Sequence, residues 1–318
     1  MQNSTTPRTK AFIALHSAVF LWGFTAILGK LISYGSLSLV WHRMSITAAI
    51  YLLIPSVWKQ LKSLPPKTFA TFGAIGLIVC AHWITFYGSI KLGNSVSITL
   101  ACLGSASFFA AIIEPLVLRK PFSYRDILMG LIVMLGIGFI YFSLPPQPTT
   151  NNQISYGWAI ITGILSAALA ATFTTFNKKY IHTAPTLAIS TIEMIAGALV
   201  LSLIILLSPT GEYQPLPTVN FAELTLDTLQ SGPWDFLWIG LLAVLCTNLT
   251  FYLGTYALKQ LSAFTANLTV NLEPIYGIVL GALIFNENKD LNLWFYLGAS
   301  IILGAIFTQA ILSSREKH

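Results

Sequence analysis

The chain has 318 residues, 55% of them hydrophobic and only 9% charged, where a soluble domain carries about 25% charged residues. This excludes an ordinary water-soluble globule and points to a chain dissolved largely in lipid. The net charge of +6 would suit a nucleic-acid partner, but the placement of the charges argues against one.

Apolar runs of about 20 residues can cross a bilayer core of about 30 Å as helices. Ten such runs follow one another: Ala11–Ser33, Leu37–Trp58, Thr68–Ser89, Ser95–Leu118, Tyr124–Ser143, Ser155–Asn177, Pro185–Leu207, Trp234–Leu258, Phe264–Phe285 and Leu291–Leu312. The first is too long for a signal core and has no small-residue cleavage site after it, so it is expected to remain as a helix. With the N-terminus in the cytoplasm, the inner loops hold thirteen Lys and Arg, from Arg8 to Lys317, and the outer loops only Lys91 and Lys289. Acidic residues gather outside instead, at Glu212, Glu223, Asp227, Asp235, Glu287 and Asp290. This positive-inside bias predicts two cytoplasmic termini and no nucleic-acid partner.

Most connections are short, so consecutive helices are expected to be antiparallel neighbours. Two outer loops differ. Leu144–Ile154 contains Pro145, Pro146 and Pro148 and joins two halves of the chain. Ser208–Pro233 carries Phe221, Leu224, Leu226 and Leu229, a pattern that predicts a short helix on the outer membrane face. In the ninth run Gly277 and Gly281 form GxxxG, and Ala167, Ala168, Ala170 and Ala171 line the sixth, all expected as helix contacts.

The two halves resemble each other. Leu37 to Ile54 lies over Leu187 to Ile204 at an offset of 150, pairing Met44 with Met194 and Ala48 with Ala198. Further on the offset is 168, pairing Lys91 with Lys259, Gly130 with Gly298 and Gly136 with Gly304. Five spans is an odd number, so the second copy runs upside down in the membrane. The predicted fold is therefore an all-α integral membrane protein of ten transmembrane helices, built as two inverted five-helix repeats over residues 1–145 and 155–312.

Several chemistries have no carrier. There is no GxxxxGK[ST] loop and no GxSxG elbow, and His16, His42, His82, His182 and His318 show no ligand spacing. Cys80, Cys102 and Cys246 lie in apolar runs without CxxC spacing and are expected to pack. No catalytic residue, cofactor or metal is expected.

Ionisable groups inside the runs carry the functional signal, because charge in hydrocarbon costs about 2.5–3.5 kcal/mol and so faces a cavity or partner. Arg43 lies about 9 Å inside the second span. His42 precedes it, and His82 sits at similar depth in the third, so the three are expected near one cavity, with packing as the alternative for each. At the offset of 150, Arg43 corresponds to Glu193, a reversal of sign; Glu193 either makes the cavity electrically unequal or pairs with a nearby Lys. The ninth span supplies Asn267, Asn271 and Glu273, followed by Pro274, which frees carbonyls near Val270. Asn248 and Tyr252 are four apart in the eighth and are expected to share a helix face. Trp22 and Phe86 offer apolar surface. Lys30 is expected to snorkel and Glu114 to be solvated near a helix end.

In these residues the chain resembles the drug/metabolite transporter superfamily, specifically EamA-type permeases. The likeness runs from Ala11 to Leu312. It is carried by Trp22-Gly23, Arg43, Ala257-Leu258-Lys259, Pro274, Glu287, Gly298 and Gly304. The resemblance implies two inverted five-helix repeats and transport of small metabolites, often outward. Ala106 stands where the first half would match Pro274, and Arg119 where it would match Glu287. A first half lacking the broken helix is therefore expected.

The resulting expectation is a secondary transporter of a bacterial inner membrane, an exporter of a small polar metabolite such as an amino acid, working by alternating access. Arg43 would attract an anion, and Asn248, Asn267 and Asn271 would supply hydrogen bonds. A proton, if transport is proton-coupled, would sit on His42, His82 or Glu273. The partners are the solute and the bilayer, with a homodimer left open. The alternative is a membrane-embedded enzyme or lipid-handling protein using the same cavity.

Overall fold

The computed structural model of the protein describes residues 7–144, 155–208, 214, 232–258, 261, 269–270, 272–289 and 291–315. Among these, every regular element is helical. The first half holds α1 (Pro7–Leu31), α2 (Ser36–Leu52), α3 (Pro55–Lys62), α4 (Pro66–Gly93), α5 (Val96–Leu103), α6 (Ala106–Leu118) and α7 (Tyr124–Ser143). The second holds α8 (Tyr156–Tyr180), α9 (Thr186–Leu207), α10 (Asp235–Ala243), a π-helical segment (Val244–Leu249), α11 (Thr250–Leu258), α12 (Glu273–Phe285) and α13 (Leu293–Arg315).

Seven stretches are long and apolar enough to cross a membrane, and an eighth if α2 and α3 count as one bent span. Two shorter apolar helices, Glu273–Phe285 and Leu293–Gln309, complete the set. Large apolar side chains cover the outside, among them Phe142, Trp158, Leu199, Leu206, Leu207 and Leu283. A water-soluble monomer rarely exposes such continuous apolar surface. The molecule is a multi-pass membrane protein.

Three spans differ from expectation. The second ends at Leu52 instead of running to Trp58. Pro55 holds Ile54 in an extended conformation (φ −86°, ψ 112°) and then serves as the first turn of α3. The chain bends there by 90°, and Trp58 Nε1 donates to the Leu52 carbonyl at 2.7 Å.

The fourth span is irregular at Gly104–Ser105, although its proline, Pro115, lies ten residues further on. The backbone changes to tighter bonds, with Gly104 N donating to Ala101 O at 3.2 Å and Ser105 N to Cys102 O at 3.0 Å. Ser105 Oγ also donates to the Cys102 carbonyl, at 2.7 Å, a side-chain competition that disturbs helices. The helix is irregular for one turn at this Gly-Ser pair, near the place that Pro274 takes in the second half, yet Val96–Leu118 remains one span without a sharp bend.

The eighth span contains the π segment, unexpected because nothing in Val244–Leu249 is a helix breaker. Its wider turn is satisfied by side chains: Thr247 Oγ1 donates to Leu242 O at 2.9 Å and Asn248 Nδ2 to Ala243 O at 3.0 Å. Short π insertions occur often at functional sites.

The main core lies where α1, α2, α4, α9 and α10 meet, around Leu28, Leu39, Met44, Phe72, Tyr87 and Ile239. A second core joins α5, α7, α8 and α13. Helix α4 packs on α8 and α9, α1 on α11 and α12, α2 on α9 and α10, α6 on α8, α7 on α13, and α5 on α12. Small residues let helices approach in lipid: a Cβ on Gly298 would lie 2.6 Å from the Gly136 carbonyl. Gly277 and Gly281 face α5, with Leu100 and Ser97 as neighbours. Cys80, Cys102 and Cys246 are buried free thiols. The expected interfacial helix with Phe221, Leu224, Leu226 and Leu229, and the proline-rich linker, lie outside the described residues, as do Asn267 and Asn271.

Candidate functional site

Arg43 is 4% exposed and lies about 10 Å from the start of α2 at ~1.5 Å per residue. Its guanidinium is held from two sides. Nε donates to Thr247 Oγ1 at 3.0 Å and Nη1 to the Tyr87 hydroxyl at 2.8 Å. The guanidinium carbon also lies 3.7 Å from the centroid of the Trp83 ring, a cation–π contact that strengthens when desolvated. Nη2 has no hydrogen-bond partner among the described residues. The groups bonded directly to this buried cation are all neutral, so it retains its appetite for an anion.

Each partner is placed by local structure. Trp83 and Tyr87 are four apart on α4 and share a face. Thr247 reaches Arg43 because the π segment widens the helix at that turn. Glu273, half-buried at the start of α12, interacts electrostatically with Arg43 and Tyr87. Gly23 lets α1 close on that same turn: a Cβ there would lie 3.0 Å from the Glu273 carbonyl.

The two histidines expected near Arg43 turn elsewhere. His42 Nδ1 donates to the Ser38 carbonyl at 2.7 Å, and its ring packs on Tyr34 and Trp41. His82 faces α8, with Nδ1 2.9 Å from both Ser166 O and Ser166 Oγ and its ring against Phe86 and Phe173. The next residue, Trp83, takes the place beside Arg43. Trp22 packs with Ala257, Val270, Leu272 and Tyr276 between α1, α11 and α12. Asn248 keeps a buried Oδ1 with no partner, whereas Tyr252 is 67% exposed. The π segment inserts backbone between the two, so the shared face expected from α-helical spacing is lost. Glu193 lies on α9, toward the opposite end of the molecule. Trp83, Tyr87 and Thr247 were missed in the sequence; the Trp-x-x-x-Tyr spacing in the third span was the one available signal.

The end of the molecule beyond Arg43 is fastened by Glu287. Its Oε1 accepts from Lys30 Nζ at 2.8 Å and Val96 N at 2.9 Å; its Oε2 accepts from Ser97 N at 2.9 Å and Ser95 Oγ at 3.1 Å. The carboxylate thus sits on the N-terminus of α5, where helix N–H groups and dipole favour an anion. Burial would raise the Glu287 carboxyl, but the Lys30 charge and the Lys30 and Ser97 bonds outweigh it and hold the group below its ordinary range. Lys30 does not snorkel: it also donates to the Asn94 carbonyl at 2.6 Å. Nearby, Asp235 accepts from Ser33 N at 2.8 Å and from Ser33 Oγ, and Lys91 donates to the Ile32 carbonyl. At the other end Glu114 accepts from Lys178 at 2.7 Å and Lys120 at 3.2 Å, both exposed.

Residues 9–142 and again residues 157–309 match the model of the EamA-like transporter family. An uncharacterized transporter of Archaeoglobus fulgidus is 25% identical over 304 residues, covering 94% of this chain and 98% of its own. Uncharacterized transporter YoaV of Bacillus subtilis is 22% identical over 314 residues, covering 97% and 99%. A solved crystal structure of a protein 12% identical superposes with a TM-score of 0.63, covering 97% of this chain and 99% of its own. At that identity the likeness shows the fold alone.

Proposed function

Because the chain belongs to the EamA-like transporter family, we propose that it is a secondary transporter that carries a small carboxylate-bearing metabolite, such as an amino acid, past Arg43 by alternating access. The observation that carries this reading is the buried Arg43, held by Thr247, Tyr87 and Trp83 with one guanidinium nitrogen left to a ligand. A carboxylate there would gain charge-assisted bonds in a site shielded from water. Asn248 and Glu273, on neighbouring elements, would contact the polar remainder of the solute, including an ammonium group.

Ten spans in two inverted repeats, over residues 1–145 and 155–312, fit the packing. Exchange the two sets of five spans and several of the main contacts meet a counterpart, although α6–α7 and α2–α4 do not. The pairing of α4 with α8 becomes that of α1 with α11; α4 with α9 becomes α2 with α10; α6 with α8 becomes α1 with α12. The pairs α2–α9 and α7–α13 map onto themselves. The irregular turn at Gly104–Ser105 and the place of Pro274 are likewise related. Such a pair of repeats provides two gates around a midplane site. In this conformer the Glu287 end is the fastened one.

The loop charges support cytoplasmic termini in a bacterial inner membrane, and an outward direction of transport follows the family likeness alone. Cysteine labelling of intact cells tests the orientation: Thr218→Cys should label readily and Ser314→Cys should not, and equal labelling would overturn it. Flux of labelled amino acids in proteoliposomes tests the function. Wild type should equilibrate at least one carboxylate-bearing solute unmodified, and folded Arg43→Gln should not. Chemical change of the solute would favour the alternative of a membrane-embedded enzyme.

A further inference from the structure

A second buried polar site lies at the opposite end. On α9, Glu193 is 5% exposed, about 10 Å from the start of its helix at ~1.5 Å per residue. Its Oε1 has no hydrogen-bond partner. Asn177, in the last turn of α8, lies near the carboxyl, and its own buried Oδ1 has no partner. Tyr51, in the last turn of α2, interacts electrostatically with Glu193, and its buried hydroxyl is also unpartnered. Thr47 lies one turn before Tyr51 and Ser190 one turn before Glu193, and both bury an unpartnered hydroxyl. Helices α2 and α9 pack together. On the remaining side α4 closes against the backbone: a Cβ on Gly76 would lie 2.5 Å from the Glu193 carbonyl.

Adjoining turns of α2, α8 and α9 thus carry unpartnered oxygens near one acidic group, and no cation pairs with it among the described residues. The surrounding elements carry Tyr51 on α2, Lys59 and Lys62 on α3, Cys80 and His82 on α4, and Lys178 and Lys179 on α8. Among the described residues none of these lysines pairs with Glu193: Lys178 binds Glu114 and Lys179 the Val117 carbonyl, and His82 is taken by Ser166. The alternative of a Lys partner for Glu193 therefore falls. So many unpaired buried polar atoms together are costly unless something satisfies them. Hydroxyl, amide and carboxylate oxygens are hard donors, suited to hard cations, and a single carboxyl balances a single positive charge.

We propose that Glu193, Thr47, Tyr51, Asn177 and Ser190 form a binding site for a monovalent cation, sodium or a proton, entered from the Glu114 end. The site occupies the place that corresponds to Arg43 in the other half, with the sign reversed: one half takes an anion and the other a cation. Its part in coupling rests on the transport reading; the binding itself does not.

The experiment is thermal unfolding of the purified full-length protein, without any solute, in sodium chloride against choline chloride at matched ionic strength, from acid to alkaline pH. A ligand of the folded state raises apparent stability. A sodium site gives a rise of several degrees over choline at alkaline pH in wild type, no rise in Glu193→Gln, and a reduced rise in Thr47→Val and Tyr51→Phe. A proton site gives no sodium effect but a fall in wild-type stability toward alkaline pH that Glu193→Gln lacks. Identical responses of wild type and Glu193→Gln to both sodium and pH would overturn the proposal and assign Glu193 to packing. Loss of carboxylate flux in the Arg43 assay leaves this result unaffected, so the two readings fail separately.

Discussion

The two ends of the molecule are both tied by ion pairs, yet the ties differ in kind. At one end Lys30 and Glu287 are 14% and 4% exposed, and the carboxylate accepts four hydrogen bonds from two elements. At the other, Lys120 and Lys178 are 53% and 54% exposed and share Glu114, itself 32% exposed. Left-handed residues end the preceding helices in each case, Arg119 at φ 54° and Asn286 at φ 55°. By these caps Lys120, not Arg119, corresponds to Glu287. The same turn geometry thus presents an acid at one end and a base at the other. The acid can sit on a helix N-terminus; the base cannot, and must find a carboxylate in solvent. Burial, not the count of ion pairs, separates a lock from a loose contact.

The largest expected effect comes from removing the lock. Glu287→Ala leaves Lys30 buried without its partner and the amides of α5 uncapped, which should cost about 3–5 kcal/mol, read as a drop in thermal stability. The swapped pair Lys30→Glu/Glu287→Lys should not restore it, because an ammonium cannot accept from Val96 N and Ser97 N. Full rescue by the swap would mean that pairing alone matters.

Arg43 tests the space between the ends. Arg43→Gln should weaken solute binding by about 1.5–3 kcal/mol if a charged hydrogen bond is lost. Arg43→Lys should restore only part, since a point charge cannot bond Thr247, Tyr87 and a ligand in one plane. Titration calorimetry with the transported solute measures both, and unchanged affinity in Arg43→Gln would assign the residue to structure.

Acid sharpens the comparison further. The Glu287 carboxyl is held below its ordinary value, so the folded state binds that proton less readily than the unfolded chain. Its contribution is fully present above the ordinary carboxylate value of about 4.3 and is lost as pH falls through the lowered folded value. Wild type should therefore lose stability in acid more steeply than Glu287→Gln, as seen in melting temperature against pH. Parallel curves would sink the assignment. The smallest effect belongs to the other end, where Lys178→Ala should change stability by no more than about 1 kcal/mol.

Much of this was legible beforehand, for stated reasons. Hydropathy marks helices well because lipid demands apolar runs, and Arg43 stands out because charge in such a run needs a cause. The bend at Pro55 follows from its ring, though the expected span ran past it. What surrounds Arg43 was not legible. Tyr87 and Thr247 come from two other helices, 44 and 204 residues away, and no residue type announces a π turn. Lys30 looked like a snorkelling side chain because its partner lies 257 residues on. His42 and His82 have the right depth but the wrong face, a distinction that needs helix rotation and not hydropathy.

The most direct measurement of whether the Glu287 end is a gate is flux through proteoliposomes carrying Lys30→Cys/Glu287→Cys. The native thiols Cys80, Cys102 and Cys246 are buried, so mild oxidation should cross-link the introduced pair alone. If the end must open in each cycle, oxidised protein should carry no solute and reductant should restore flux. Solute flux through the oxidised, fully cross-linked protein at the reduced rate would contradict alternating access through this end.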